Sequence, residues 1–339
     1  MGEEPRSRMK RFVYRVFAWM AYWGGVDALF YWLNRKAKRI LTFHNVLPDA
    51  MFRRSVANGV SNSLSEFEAI VDECAKRFRF STDLFDATTM TITFDDGYRN
   101  QYTTAFKALQ RRGIQAYLFV SGGLLANGYQ GARSEEPLLI DKLLHWVSEA
   151  PVEYIPGGNR LQYWVKEVWP GFMADSASKG KDLFAKLCAK YPYEKIVAAL
   201  PAEYVGERLA GISDAELGEM RKAGWKIGWH TRTHYPLSRL NDRDLAEELT
   251  SPKEFQGVCF SYPYGNLLEV GQRAIGKVRE LGYPCAVSNV TKEGEPYSRW
   301  FLPRFALLPD KYLIHFELSG FKHFLKHGKL LPKICGDRM

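Results

Sequence analysis

The chain has 339 residues, 46% of them hydrophobic and 25% charged, which suits one large globular α/β domain with room for an insertion and excludes a disordered polymer. The five cysteines (Cys74, Cys188, Cys259, Cys285, Cys335) are scattered without a Cys-x-x-Cys, so they read as buried free thiols of a reducing compartment and exclude a disulfide scaffold. The net charge of +9 gathers towards the two ends; it favours an anionic surface as neighbour, and no nucleic-acid recognition motif accompanies it.

Residues 6–11 are basic, 12–33 are rich in rings (Trp19, Tyr22, Trp23, Phe30, Tyr31, Trp32), and Arg35-Lys36-Ala37-Lys38-Arg39 follows. A secretory signal needs a plain apolar core and a small-residue cleavage site, and this stretch has neither. A spanning helix is interrupted by Arg15, Gly24-Gly25 and Asp27. Residues 1–39 are therefore expected to form a helix lying in an anionic membrane interface, holding the protein peripherally at the cytoplasmic rather than the extracytoplasmic face. The competing expectation is an amphipathic helix packed on the domain itself.

Residues 39–45 read as the first core strand, ending at His44 before a Pro48-Asp49 turn. Residues 65–80 have helical spacing, with Phe67, Ile70, Val71 and Cys74 on one side. Met90–Phe94 is a short β-branched and aromatic strand that stops at Asp95, Asp96 and Gly97. Helical spacing resumes over 99–110 through Tyr102, Phe106 and Leu109, and 115–120 is a buried strand closed by Ser121-Gly122-Gly123. The pattern then changes. Residues 128–204 read as a helical insertion, in which Tyr154, Tyr163, Trp164 and Trp169 are possible sugar-stacking rings or simply parts of a structural lid.

Ser213 is placed to cap a helix that carries Asp214 and Glu216 in its first turn. Lys226–Trp229 leads as a strand into His230-Thr231-Arg232-Thr233-His234, and Asn241 or Asp242 opens the next helix. Val258–Ser261 runs into the turn Tyr262-Pro263-Tyr264-Gly265; a helix over 269–281 and a strand over 283–288 follow. Pro309-Asp310 opens a final helix that runs into a basic tail over 309–339. Short strands alternating with helices predict a parallel sheet, closed fully or partly into a barrel.

Two acids at the carboxyl end of a strand sit where parallel α/β folds place their chemistry. Asp95 and Asp96 are adjacent, so on an extended chain they point opposite ways, one free to bind a metal and the other to face a substrate water. His230 and His234, four apart, read as one face of a helical turn sharing a metal. His323 and His327 have the same spacing, but in a Lys-rich amphipathic tail with no strand end or acid nearby, and read as a solvated face.

In family order, Thr93–Gly97, His230–His234 and Tyr262–Gly265, with Gly224–Gly228 before the first histidine, resemble the polysaccharide deacetylase (NodB-homology) family. The likeness covers about residues 88–125 and 212–290. It implies a distorted (β/α) barrel of about seven strands over residues 40–308. It also implies a divalent metal on Asp96, His230 and His234, for which zinc suits the ligand types best, with Asp95 as base and the backbone amide of Tyr264 in the oxyanion site. Many members hold the base with an arginine shortly before the Pro-Tyr-Gly turn. Here Phe260, Ser261 and Tyr262 occupy that stretch, and Arg304 is the substitute. If the chain resembles the permuted poly-N-acetylglucosamine deacetylase branch, His44 at the end of the first strand is the general acid. Its rival is His315 in Leu313-Ile314-His315, whose apolar neighbours predict a helix-packing role.

The activity so implied is metal-dependent de-N-acetylation of a polysaccharide, oligosaccharide or lipid-linked sugar. A catalytically silent carbohydrate-binding member would lack a ligand or the base, yet Asp95, Asp96, His230 and His234 are all present. An amidase of a small non-sugar amide would need a narrow closed pocket, which a basic, aromatic-flanked chain suits poorly.

Overall fold

Residues 5–52, 61–124, 210–289 and 298–333 are described in the computed structural model. The expected insertion at 128–204, with Tyr154, Tyr163, Trp164 and Trp169, lies outside these residues, as do Cys188 and Cys335. The fold is α/β with parallel sheets. β1 (Arg39–Phe43), β2 (Asn45–Leu47), β3 (Ser61–Ser63), β4 (Arg79–Phe80) and β5 (Thr89–Phe94) precede β6 (Tyr117–Val120) and β7 (Lys226–Trp229). β8 (Phe260–Ser261), β9 (Ala286–Ser288) and β10 (Leu302–Pro303) complete the described strands.

β5 is buried along almost its whole length, which is why its Met-Thr-Ile-Thr-Phe run reads as continuous rather than alternating. One edge pairs with β1, from Arg39↔Met90 to Phe43↔Phe94. The other takes β4 at its start and β6 at its end, and β7 pairs onward with β6. A second parallel sheet runs β10-β9-β8, and β2 with β3 makes a small third one. The first two sheets meet through Phe305, just past β10, which forms a parallel bridge to Leu41 of β1. Its N–H donates to the Ile40 carbonyl (2.7 Å) and its carbonyl accepts from Thr42 (3.0 Å). Gly228 of β7 lies against the chain leading into β8, since a Cβ there would sit 2.4 Å from the Cys259 carbonyl oxygen.

α1 (Pro5–Trp23) and α2 (Val26–Leu33) replace the single helix expected before β1; Gly24-Gly25 breaks it, with Gly25 in the left-handed region at φ 76°. α3 (Leu64–Ala75) begins on a Ser63–Glu66 capping box and buries Phe67, Ile70, Val71 and Cys74. It ends five residues earlier than its spacing predicts, because Arg79-Phe80 joins the sheet as β4. Residues 101–106 form a π-helical turn before a short α-helical turn over 107–110. α4 (Asp214–Lys222) has the Ser213–Glu216 capping box, and Asn241 caps α5 (Asp242–Leu249). The helix expected over 269–281 is split by Gly271 into turns over 267–270 and α6 (Gln272–Glu280). The expected terminal helix is likewise two: α7 (Lys311–Leu318), capped by Asp310, and α8 (Phe321–His327) after Gly320. The core joins both sheets and their helices, with Phe94 stacked on Trp225 and Phe43 edge-on to Phe67.

Candidate active site

In parallel strands all the carboxyl ends lie on one rim. Asp95 and Asp96 follow β5, His230 to His234 follow β7, Tyr264 follows β8 and Arg304 follows β10. Four non-glycine residues among those described have positive φ: Asp96 (84°), Thr231 (68°), His234 (59°) and Tyr264 (62°). All four belong to the three motifs on this rim. Such conformations cost ~1–3 kcal/mol each and persist where the surrounding packing over-determines them. Gly97, at φ 95°, completes the turn after the two acids, and a Cβ on it would come within 2.8 Å of Val120.

The histidine pair does not sit on a helical turn. Residues 230–236 form an irregular loop. Thr231 Oγ1 accepts the His234 N–H at 3.0 Å, and buried Glu248 of α5 accepts the N–H (2.9 Å) and the hydroxyl (2.6 Å) of Thr233. These side-chain bonds occupy donors that a helix would need, so the loop wins over the helical spacing. It nevertheless brings the imidazoles together, with ring centroids 4.9 Å apart.

Asp96, His230 and His234 each offer a ligand atom, all within 4.8 Å of one another, and among the described residues they are the one such group of three. Nε2 of His230 and Nε2 of His234 each lie 3.4 Å from Asp96 Oδ1. Two atoms bound at ~2.0–2.1 Å to a tetrahedral metal stand about 3.4 Å apart, so the spacing fits a zinc-type ion. The polar bookkeeping also fits. His230 Nδ1 lies 2.8 Å from the Ser261 carbonyl, which can only accept, so Nδ1 carries the proton and Nε2 turns a lone pair towards Asp96. Asp96 Oδ1 is buried with no hydrogen-bond partner. Lone pairs facing one another need a positive charge between them. Burial opposes protonation of His230, but Asp95 and Asp96 outweigh it and raise its pKa; burial pushes His234 down to about 3 against the pull of Asp96. One proton cannot serve both imidazoles, whereas one cation can.

Asp95 is fully buried and anchored on several sides. Arg304 grips it through two bonds, Nη1 to Oδ1 at 2.8 Å and Nη2 to Oδ2 at 2.5 Å. The same guanidinium donates to Thr93 Oγ1, the Ser288 carbonyl and Asn289 Oδ1, so its own direction is fixed. The Ser261 hydroxyl donates to Asp95 Oδ1 at 3.0 Å. Burial pushes the Asp95 pKa up, but Arg304 chiefly, with His230 and His44, holds it well below the usual carboxylate range. His44, in the gap between β1 and β2, has Nε2 3.7 Å from Asp95 Oδ2 and is partly exposed, at 15% of its side chain. The Tyr264 ring packs on His234, centroids 4.8 Å apart, and its hydroxyl donates to the His234 carbonyl at 3.2 Å.

His315 lies elsewhere. It is buried on α7 between the Tyr31 hydroxyl at Nδ1 and Glu73 at Nε2, both 3.0 Å away. His323 and His327 lie against each other along α8 with tilted rings, centroids 4.7 Å apart, and are not part of the group made by Asp96, His230 and His234. Several residues of the site carry no spacing signal: Ser261, which touches both His230 and Asp95, and Thr93, Asn289 and Glu248, which brace their neighbours. Ser261 alone had a readable hint, since it fills the stretch where the resembling family carries its arginine.

A family model described as polysaccharide deacetylase matches residues 84–147, the stretch that carries Asp95 and Asp96. No curated protein matches the chain. Among solved structures it is similar to the Streptococcus pyogenes deacetylase PplD in complex with acetate, at 13% identity over 80% of this chain and 93% of that one, with a TM-score of 0.49. It is also similar to IcaB from Ammonifex degensii (18%, 84% and 97%, TM-score 0.48). A third is a de-N-acetylase from Aggregatibacter actinomycetemcomitans (13%, 80% and 95%, TM-score 0.46). Over residues 84–147, which include β5 and the paired acids that follow it, the chain is similar to the polysaccharide deacetylase family.

Proposed function

We propose that this protein is a metal-dependent de-N-acetylase of an N-acetylated glycan, whether polysaccharide, oligosaccharide or lipid-linked sugar. The observation that carries the reading is the convergence of Asp96, His230 and His234 within 4.8 Å beside a second carboxylate pinned by arginine. Asp96, His230 and His234 would hold a divalent cation, zinc by ligand type, and such an ion would supply Lewis acidity, bringing the pKa of a water from ~15.7 to roughly 7. The other tasks fall to the chain itself. Arg304 and Ser261 leave Asp95 no freedom to rotate, so it is a fixed acceptor for the proton of the attacking water. The pairing also makes it a weak base, useful only towards a water that is already acidic. The left-handed turn at Tyr264 fits its backbone amide to the oxyanion, a donor typically worth ~3 kcal/mol.

The leaving amine needs a proton, because an amide nitrogen expelled without one is a very poor leaving group. His44 Nε2 is the donor in this reading: it borders Asp95 and reaches solvent, whereas His315 has both ring nitrogens engaged by Tyr31 and Glu73. The intact set of ligands and base argues against a silent sugar-binding role. The Leu41–Phe305 bridge supports the finer architectural reading, a barrel of about seven strands.

The test is product analysis on a panel of N-acetylated glycans with bound metal measured in parallel. His230→Ala and His234→Ala are expected to lose metal and activity together, and His323→Ala neither. His44→Ala should keep its metal and fold and lose at least ~10²-fold in turnover. Stoichiometric metal in the His234 variant would sink the ligand set. Normal turnover by His44→Ala with a dead His315→Ala would move the acid to the later histidine.

A further inference from the structure

The charge of this chain is sorted by position. Residues 1–39 hold nine Lys and Arg against three acids, and residues 309–339 hold six against three. Together they account for the whole net charge of +9, and residues 40–308 are neutral on balance. The structure packs these two segments on one another. α1 rests on α7 through Ala18 and Ala21 against Phe316, with Tyr22 edge-on to Tyr312 at 5.5 Å and Arg15 paired with Asp310 at 2.8 Å. α2 adds Phe30 against Phe321 and Phe324 of α8, at 4.9 and 5.1 Å.

Tyr14, Ala18, Ala21 and Tyr22 lie on one stripe of α1, the stripe turned to the protein. The opposite stripe is Phe12, Val13, Val16, Trp19, Met20 and Trp23, and every one is exposed, Phe12 by 67% and Trp23 by 64%. A helix that only docks on its own domain turns its large apolar side chains inward and its polar ones out. α1 turns small alanines and tyrosines inward and leaves its largest apolar side chains facing out. Leu29 and Trp32 of α2 and Leu325 of α8 extend the exposed apolar set, and Arg35 holds its guanidinium 4.8 Å above the Trp32 ring. No described helix is long and apolar enough to cross a membrane.

We propose that α1, α2 and α8 form one platform that seats the protein on an anionic lipid surface, with α1 lying in the plane of the headgroups. Large rings on one stripe flanked by cations are what such an interface takes. A second copy of the chain fits poorly, because self-pairing would bring two platforms, each from the segments that hold the positive excess, face to face. The proposal does not rest on the catalytic reading. The platform is tied to the start of β1, where Arg39 donates to the carbonyls of Asn34, Ala37 and Leu318, whereas the candidate active site lies past the strand's other end.

The experiment is co-sedimentation of the full chain with phosphatidylserine-rich vesicles and, separately, with pure phosphatidylcholine vesicles. Binding should favour the anionic vesicles by at least ~10-fold and fall as salt rises from ~0.1 to ~0.5 M. Tryptophan emission should shift to the blue on binding. The pair Trp19→Gln and Trp23→Gln, on the exposed stripe, should weaken vesicle binding by ~10-fold or more while keeping the melting temperature. Equal affinity for both vesicle types, or concentration-dependent dimerisation without vesicle binding, would overturn the proposal. Resistance of vesicle-bound protein to carbonate extraction would overturn the in-plane seat.

Discussion

Arg304 shows what a single side chain carries here. It is buried to 4% exposure, and the carboxylate it serves is completely enclosed. Removing one partner of a buried ion pair typically costs ~3–5 kcal/mol, because the other charge is left uncompensated. Arg304→Gln is therefore expected to lower the melting temperature and to cut turnover by ~10²-fold or more with bound metal retained, since Asp96, His230 and His234 are untouched. Arg304→Lys should rescue only part of this, because an ammonium cannot make the two parallel bonds. Turnover of the Lys variant at the level of the unaltered protein would show that the fork is not what positions Asp95. In the sequence this arginine was legible as the substitute for the one that the resembling family carries before its Pro-Tyr-Gly turn. Its three other acceptors were not, because Thr93, Ser288 and Asn289 are common residue types whose meeting depends on strands distant in sequence.

At the scale of elements, local rules set most starts correctly. Ser63, Ser213, Asn241 and Asp310 all accept hydrogen bonds from the first turns of their helices. Interiors and ends were harder to read. The spacing of Tyr102, Phe106 and Leu109 is that of an α-helix, yet residues 101–106 widen into a π turn that lets Gln101 donate to the His44 and Asp95 carbonyls. The break between α1 and α2 delivers Asp27 to the Ser319 hydroxyl, 2.9 Å away, with its other oxygen unpartnered. Burial pushes the Asp27 pKa from 3.8 up to about 6, against the Ser319 bond and Arg77. A raised folded pKa means that the native state holds this proton more tightly. Its contribution to stability is then full below pH ~4 and lost as pH rises through about 6. Asp27→Asn should abolish that part of the pH slope, gaining stability relative to the unaltered protein at pH ~7.5 but not at pH ~4. Denaturant titrations of both proteins across this range decide it, and equal slopes would refute it.

Across the whole molecule, the alternation of strands and helices announced parallel sheets. It could not announce that β1 lies beside β5 on one flank and Phe305 on the other, since neighbour order is a property of packing and not of any one segment. A chain cut after residue 300 loses both Arg304 and the Phe305 bridge. It is expected to aggregate or to exchange its β1 amides far faster than the full chain, as hydrogen exchange would show; protection at Thr42 equal to that of the full chain would contradict the role given to the bridge.

That bridge also has a calendar. On a ribosome adding about 5–20 residues per second, Phe305 follows Leu41 by roughly 260 residues, a delay of about 13–50 s. Through that interval the first strand is already made and its outer edge has nothing to pair with. The nascent protein thus carries an open parallel edge until Phe305 has been added, which makes it a natural client for holding chaperones and makes its yield sensitive to how fast the stretch between the two residues is read.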